Sequence, residues 1–568
     1  MASATDRLKR RIDQGLGRSD ADVVIKGARI LDVATGSLEK GDVAICGDMI
    51  VGTYDEYRGV EEIDGGDLIV APGFIDTHVH VESTLVTPYE FDRGVLPRGT
   101  TTAVCDPHEI CNVLGTQGLD YFLKAALGTA MDLRVQLSSC VPATGIETSG
   151  ASLGAEMLAA RANHPKVIGL AEFMNYPGIF HHDPDVLAKL TAFEGKHIDG
   201  HAPMVTGKEL NAYLSCGIRN CHETTSVPEA WEKLRKGMQV LIRDGSVTKD
   251  VKRLAEVIGP RTSSRLAFCT DDRNPREIMA EGHLDHIIRT AIAAGAPAFD
   301  VYRAATLSAA EGFGLRDRGL VAPGKRADLV LIEDLNNCTV CHVLKDGKLV
   351  VPEMFAGRAP LPMIGTGSIK LDPVTADLFK TPAAGPTGPV IGLIPHQVVT
   401  NFLMMELPYK DGLRHIDLDN DVLKIAVLAR HGKNRNVGRG FVQGFGFKRG
   451  ALASSIGHDS HNVCVVGASD SDMAVAVNRL IELQGGFVAV VDGKVVAELP
   501  LPLAGLMSFD SFEGVQQGLV SLKAAVRQMG CPLDEPFLSL AFLPLPVIPH
   551  LKITDFGLVD VDNFRLVA

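Results

Sequence analysis

The sequence lacks an apolar run long enough to cross a bilayer: its most hydrophobic stretch, FLSLAFLPLPVIPHL, is interrupted by Pro544, Pro546 and Pro549 and is too short to span one. Its first twenty residues, MASATDRLKRRIDQGLGRSD, are charged and carry no apolar core of the kind a secretion signal needs, so a capping helix is expected there. There is no long Lys/Arg run, and the formal charge of −13 argues against a nucleic-acid backbone or an anionic membrane as the main partner. Neither a Gly-Lys-Ser/Thr phosphate loop nor a dinucleotide fingerprint is present. The 11 cysteines are scattered and odd in number, which excludes a complete disulfide framework and fits a reducing compartment. One close pair, Cys338 and Cys341 in NNCTVCHV, has no second Cys/His pair at zinc-ribbon spacing, so two core-facing thiols are expected. What remains is a soluble, cytoplasmic chain acting on a small molecule, compatible with a homodimer.

With 568 residues, 46% of them apolar, the chain can bury two or three domain cores. From Asp22 to Asp67, short β-branched runs alternate with Gly/Asp turns, as in DVVIKGARILD and DVAICGDMIVG, predicting small antiparallel strands. The text then changes to apolar runs separated by helical stretches. Eight such runs follow one another: LIVAPGFIDTH, TTAVCD, LRVQLSSC, VIGLAEFM, HIDGHAP, IRNCHE, MQVLIRDG and LAFCTDD. Eight parallel strands with crossover helices predict an α/β fold, a TIM-like (β/α)8 barrel over residues 68–312. GLVAPGKRADLVLIED and HVLKDGKLVV return to the earlier style, so residues 1–67 and 313–365 are expected to form one split β-sandwich domain. TPAAGPTGP reads as a linker within a further α/β domain at 366–568.

Active sites on such barrels lie at the C-terminal ends of the strands. His78 and His80 stand two apart at the end of the first run, so both imidazoles face the same side. Glu172 in GLAEFMN, His201 in DGHAP, His222 in NCHETTS and Asp271 in CTDDR each follow a later strand. Each alone could be a hydrogen-bonded core residue. Together they offer six nitrogen and oxygen ligands suited to Zn, Mn or Fe(II).

Through APGFIDTHVH, the strand-end series and the closing ATLSAAEGFGL…RGLVAPGKRADLVLIED, the chain resembles the amidohydrolase superfamily. Within it, HVHVES, DPHEI, GLAEFMNYPG, DGHAP, CHETTS, CTDDR and the later GHDSHN resemble the long bacterial adenine deaminases, over nearly the whole length. Cyclic-amide hydrolases of the superfamily generally carry a Lys at the fourth strand, where this chain has Glu172. The resemblance implies hydrolysis of adenine, a purine base, to hypoxanthine and ammonia at two divalent cations, Mn2+ or Fe2+, with Zn2+ a further candidate. His78, His80 and Asp271 would hold one cation, His201 and His222 the other, and Glu172 would bridge them. A cyclic-amide hydrolase and a non-catalytic scaffold are the competing readings.

Asp271 would also take the proton of the attacking water. Shorter deaminases of the superfamily place a Glu a few residues beyond the fifth-strand His, but Ala202, Pro203, Met204 and Val205 follow His201 here. That makes Glu223, beside His222, the nominee for carrying a proton to the purine, with a rim salt bridge as its other reading. Glu82, Ser83, Asp106, His108, Glu109 and Asp272 are expected to support these groups or touch substrate, Asp272 otherwise capping a helix. His458 and His461 in GHDSHN would bind an additional metal, close over the site, or cap a helix.

Overall fold

The computed structural model describes residues 3–395 and 397–567. The expected N-terminal helix forms at Ala4–Gly15, where Ser3 accepts from the Asp6 backbone N–H at 3.1 Å and Asp6 accepts from Ser3 in return. Strands Ala21–Asp32, Ser37–Cys46, Met49–Thr53, Gly59–Asp64, Ile69–Pro72, Leu329–Ile332, Val340–Lys345 and Lys348–Leu349 build one mixed eight-stranded sheet. Residues from both sides of the central region therefore share a core, with Ile25, Ile45, Val70, Leu329 and Leu331 buried together. The run LIVAPGFIDTH divides at Gly73. Its first half pairs antiparallel with Leu329–Ile332, and Phe74–Val79 turns into the parallel strands. A Cβ on Gly73 would collide with the Thr101 side chain, which explains the residue at that turn.

All eight predicted runs contain strands: Phe74–Val79, Thr100–Cys105, Asp132–Leu137, Val167–Phe173, His197–Gly200, Asn220–Cys221, Gln239–Arg243 and Leu266–Cys269. The first five form one parallel sheet and the last three another. At one seam a parallel bridge joins Val79 to Asp271, and at the other Arg219 N–H donates to Ile198 O at 3.1 Å. These strands are buried on both faces, as parallel strands between helices are.

A second eight-stranded sheet spans Thr387–Pro500, with Asp470–Leu483 and Phe512–Gln528 as its longest helices. TPAAGPTGP is not a bare linker: Thr381–Pro382 pairs with Leu413–Arg414, and Thr387–Leu393 with Thr400–Glu406. The irregular connection lies earlier, from Val350 to Lys380, where only two 3-10 turns form. This C-terminal portion sits across the strand ends. Ser508 N–H donates to Leu85 O at 2.7 Å, and Asp555 accepts from the Thr148 hydroxyl at 2.6 Å. Cys338 is buried as expected, but Cys341 is exposed, near the open start of the strand Val340–Lys345. No helix of the described residues is long and apolar enough to cross a membrane.

Candidate active site

The strand ends bring His78, His80, Glu172, His201, His222 and Asp271 together, all buried. Glu172 is central. Its Oε1 lies 3.3 Å from His80 Nε2 and 3.7 Å from His78 Nε2. Its Oε2 lies 2.7 Å from His201 Nδ1 and 3.2 Å from His222 Nε2. Asp271 Oδ1 approaches His80 Nε2 at 3.2 Å, on the Oε1 side.

Local structure fixes these directions. The backbone N–H of Asp271 donates to His78 O at 3.0 Å, and His80 N–H donates to Asp271 O at 3.1 Å, so the first and eighth strands set the two histidines against the carboxylate. Asp271 adopts φ 55°, a left-handed conformation that Asp tolerates better than most residues. His80 Nδ1–H donates to Asp106 O at 3.0 Å, which leaves the Nε2 lone pair facing inward. His78 Nε2 and His80 Nε2 then face each other at 3.1 Å, and the rings of His78 and His222 stack at 4.1 Å.

Such a set fits divalent cations. Imidazole nitrogens and carboxylate oxygens converge without enough hydrogen-bond donors of their own, and the groups His78/His222/Asp271 and Glu172/His201/His222 each lie within metal-binding reach. Burial works against charge on Glu172, yet the imidazoles of His108, His201, His222 and His80 hold it well below the usual carboxylate range. Burial and His108 likewise disfavour charge on His80, but Asp271 and Glu172 raise it well above the ordinary imidazole value.

Glu223 lies on the wall of this cavity with Asp271 and Asp272. It accepts from both terminal nitrogens of Arg243, at 3.0 Å for Nη2, and so forms the rim salt bridge. Burial opposes its charge, and Arg243, His201 and His222 outweigh that and keep it below the ordinary value. Arg243 had no spacing signal in the sequence, although its strand was recognised. Asp199, also unforeseen, stands 3.8 Å behind His78 Nδ1.

His108 and Glu109 open the helix His108–Leu114, and Asp106 precedes its N-terminal Pro107. His108 and Glu109 line the cavity, and Asp106 accepts from His108 Nδ1–H at 3.0 Å. Asp272 accepts from the Ser83 hydroxyl and does not cap a helix, because Asn274 takes that role for Pro275–Glu281. Glu82 lies behind the wall and accepts from Ile110 N–H at 3.1 Å; burial and Glu109 push its carboxyl up to about 8. GHDSHN caps no helix either, since it connects strands Ala451–Ser454 and Val463–Gly467. It reaches the cavity through His458 and Asp459, with His461 bound behind them to Glu109. Phe542, Leu545 and Ile548 supply an apolar wall opposite the histidines.

An α/β chain that gathers histidines and carboxylates at its strand ends has the build of an amidohydrolase, and the family model described as "Amidohydrolase family" matches residues 69–350. A second, described as "Adenine deaminase C-terminal domain", matches residues 397–565. A curated protein named adenine deaminase from Methylobacterium nodulans is 58% identical over 562 residues, covering 99% of both chains. Adenine deaminase 1 of Agrobacterium fabrum is 57% identical, covering 99% of this chain and 98% of its own. Adenine deaminase of Brucella suis is also 57% identical, covering 98% and 96%. The chain belongs to the adenine deaminase family of amidohydrolases.

Proposed function

We infer that this protein hydrolyses adenine to hypoxanthine and ammonia, at a centre for two divalent cations in the mouth of a closed (β/α)8 barrel. The observation that carries the reading is the double-faced Glu172, whose Oε1 meets His80 at 3.3 Å and whose Oε2 meets His201 at 2.7 Å. A carboxylate with a histidine group on each side can bridge two cations without the modified lysine that cyclic-amide hydrolases use. His78, His80 and Asp271 would hold one cation, and His201 and His222 the other; Mn2+, Fe2+ and Zn2+ all suit these donors. Bound there, a divalent cation supplies a water whose pKa is lowered towards neutrality.

The chain's own groups move the protons. Asp271 accepts one from water as the oxygen adds to the ring carbon bearing the amine. Glu223 carries that proton to the ring nitrogen, Asp271 takes the second proton of the added water and passes it to the amine, and the carbon–nitrogen bond breaks to release ammonia. Because Arg243 keeps Glu223 ionised in the resting site, Glu223 must gain its proton during the cycle before donating it. Phe542, Leu545 and Ile548 offer the flat purine an apolar face. Asp106, His108, Glu109 and Asp272, with Glu82, Ser83, His458 and His461 behind or beside them, hold these groups in place.

The reading includes a split small domain at 1–67 and 313–365, the barrel at 68–312, a C-terminal domain at 366–568, a homodimeric assembly and a cytoplasmic location; the strand Ile69–Pro72 joins the small domain's sheet. The test is ammonia release from adenine by protein loaded separately with Mn2+, Fe2+ and Zn2+. Turnover with at least one is expected. No release with any of them, together with opening of a cyclic amide, would overturn the assignment.

A further inference from the structure

Beside the proposed two-cation site lies a second buried polar cluster. It joins the helix His108–Leu114 to the GHDSHN segment, and His108, Glu109, His458 and Asp459 are 3%, 2%, 3% and 2% exposed. Two carboxylates buried this deeply need positive charge close by. No lysine or arginine among the described residues forms an ion pair with either of them.

The hydrogen bonds around the cluster define which lone pairs are free. His108 Nδ1–H donates to Asp106 Oδ2 at 3.0 Å, so its Nε2 carries the lone pair and points the other way, towards Glu109 and Asp459. His461 Nδ1 accepts from Gly457 N–H at 3.3 Å, so its Nε2–H donates to Glu109 Oε2. Glu109 Oε1 is left without a hydrogen bond, although His458 Nδ1 lies only 2.8 Å away. Asp459 Oδ2 has none either. Two polar atoms that approach closely but out of line for a hydrogen bond are aimed at a common third point.

The separations bracket those that a cation at that point would impose. His108 Nε2 is 3.3 Å from Glu109 Oε1 and 3.8 Å from Asp459 Oδ1, and His458 Nδ1 is 2.8 Å from Glu109 Oε1 and 3.8 Å from Asp459 Oδ1. Four ligands at about 2.0–2.2 Å from one tetrahedral ion stand roughly 3.3–3.6 Å apart. His108, Glu109 and Asp459 meet the requirement for a metal group within 4.8 Å.

We infer that a third divalent cation binds between the barrel and the C-terminal domain, held by His108 Nε2, Glu109 Oε1, His458 Nδ1 and Asp459. Asp106 and His461 orient two of these ligands, in the manner of carboxylates and imidazoles behind known metal sites. Its donor set, two imidazoles and two carboxylates, suits Zn2+, Mn2+ or Fe2+ rather than Ca2+. The ion neutralises the two buried carboxylates and ties the C-terminal segment to the wall of the active-site cavity, which His108, Glu109, His458 and Asp459 all line. The site adjoins the Glu172 centre, with His108 Nδ1 3.3 Å from Glu172 Oε1, but uses the other nitrogen of that ring and does not depend on the deaminase reading.

The test is metal stoichiometry of the full-length protein, stripped with a chelator and then dialysed against Zn2+ or Mn2+, with anomalous scattering from wild-type crystals to locate each ion. Three equivalents are expected in the wild type, one of them between the His108 ring and Asp459, and two in Asp459→Asn with an unchanged circular dichroism spectrum. A wild-type protein that saturates at two, with anomalous peaks only around Glu172, overturns the proposal, as does a folded Asp459→Asn that keeps all three. A peak at His108–Asp459 with none at Glu172 supports this site and overturns the two-cation reading instead. The wild-type map decides the matter even if the variant fails to fold.

Discussion

Arg243 joins Asp271 to Glu223: its Nη1 donates to Asp271 Oδ2 at 2.7 Å and also to Glu223 Oε1, while Nη2 donates to Glu223 Oε2 at 3.0 Å. One guanidinium thus orients both carboxylates proposed to handle protons. Burial would raise both carboxyls, and the cation outweighs it. Arg243→Met removes that support, so both groups become easier to protonate and the acidic limb of the pH–rate profile moves to higher pH. A loss of about 10²-fold in kcat is expected, the lower range for acid–base catalysis. Arg243→Lys should recover little of it, because a point charge cannot serve two carboxylates in the guanidinium's fork geometry. An unmoved acidic limb in Arg243→Met would remove Arg243 from the proton-handling unit.

Asp271→Asn tests the proposed base directly. The amide keeps the shape of the side chain and cannot accept the proton, so kcat for ammonia release should fall by about 10²–10⁴-fold. The fold should persist, since the backbone bonds that place the residue, to His78 O and from His80 N–H, do not involve the side chain. Metal content measured beside activity separates loss of the base from loss of a ligand. Near-normal kcat in Asp271→Asn excludes the assigned role.

The strand-end residues were legible because each closes an apolar run and because period two puts His78 and His80 on one face. The partners that tune them were not. Arg243 ends a recognised strand, but a single arginine has no periodicity to mark it, and Asp199 sits one turn of the pleat away from His201 within an unremarkable HIDG. DPHEI and GHDSHN both stood out as polar motifs, yet nothing in local spacing says that Glu109 and His461, separated by 352 positions, bond to each other. TPAAGPTGP misled for a related reason: its prolines suggest a linker, while pairing with more distant chain, Leu413–Arg414 for one end and Thr400–Glu406 for the other, makes strands of its ends.

Phe542 is the apolar contact most open to test. Its ring stacks on His458 with centroids 4.5 Å apart, and its position on the cavity wall offers a purine a flat apolar face. Phe542→Ala should raise KM for adenine about tenfold, equivalent to about 1.4 kcal/mol, with a smaller change in kcat. Steady-state kinetics at saturating metal reads both constants. A fall in kcat alone would mean that the ring positions His458 rather than binds substrate.

Lys552 gives a stability effect with a defined sign. It is fully buried with no carboxylate partner among the described residues and donates to Val398 O at 2.6 Å and Phe542 O at 3.0 Å, the backbone of two cavity-wall residues. Burial lowers its pKa from 10.5 to about 7. Between those values the unfolded chain binds a proton that the folded chain has released, so stability contributed by Lys552 rises with pH across that window. Below about 7 both states are protonated and the burial penalty is felt in full. Lys552→Met carries no such titration and loses two donated bonds, so its urea midpoint should fall further behind the wild type at pH 9 than at pH 6.5. Equal differences at the two pH values would show that Lys552 keeps its proton when folded.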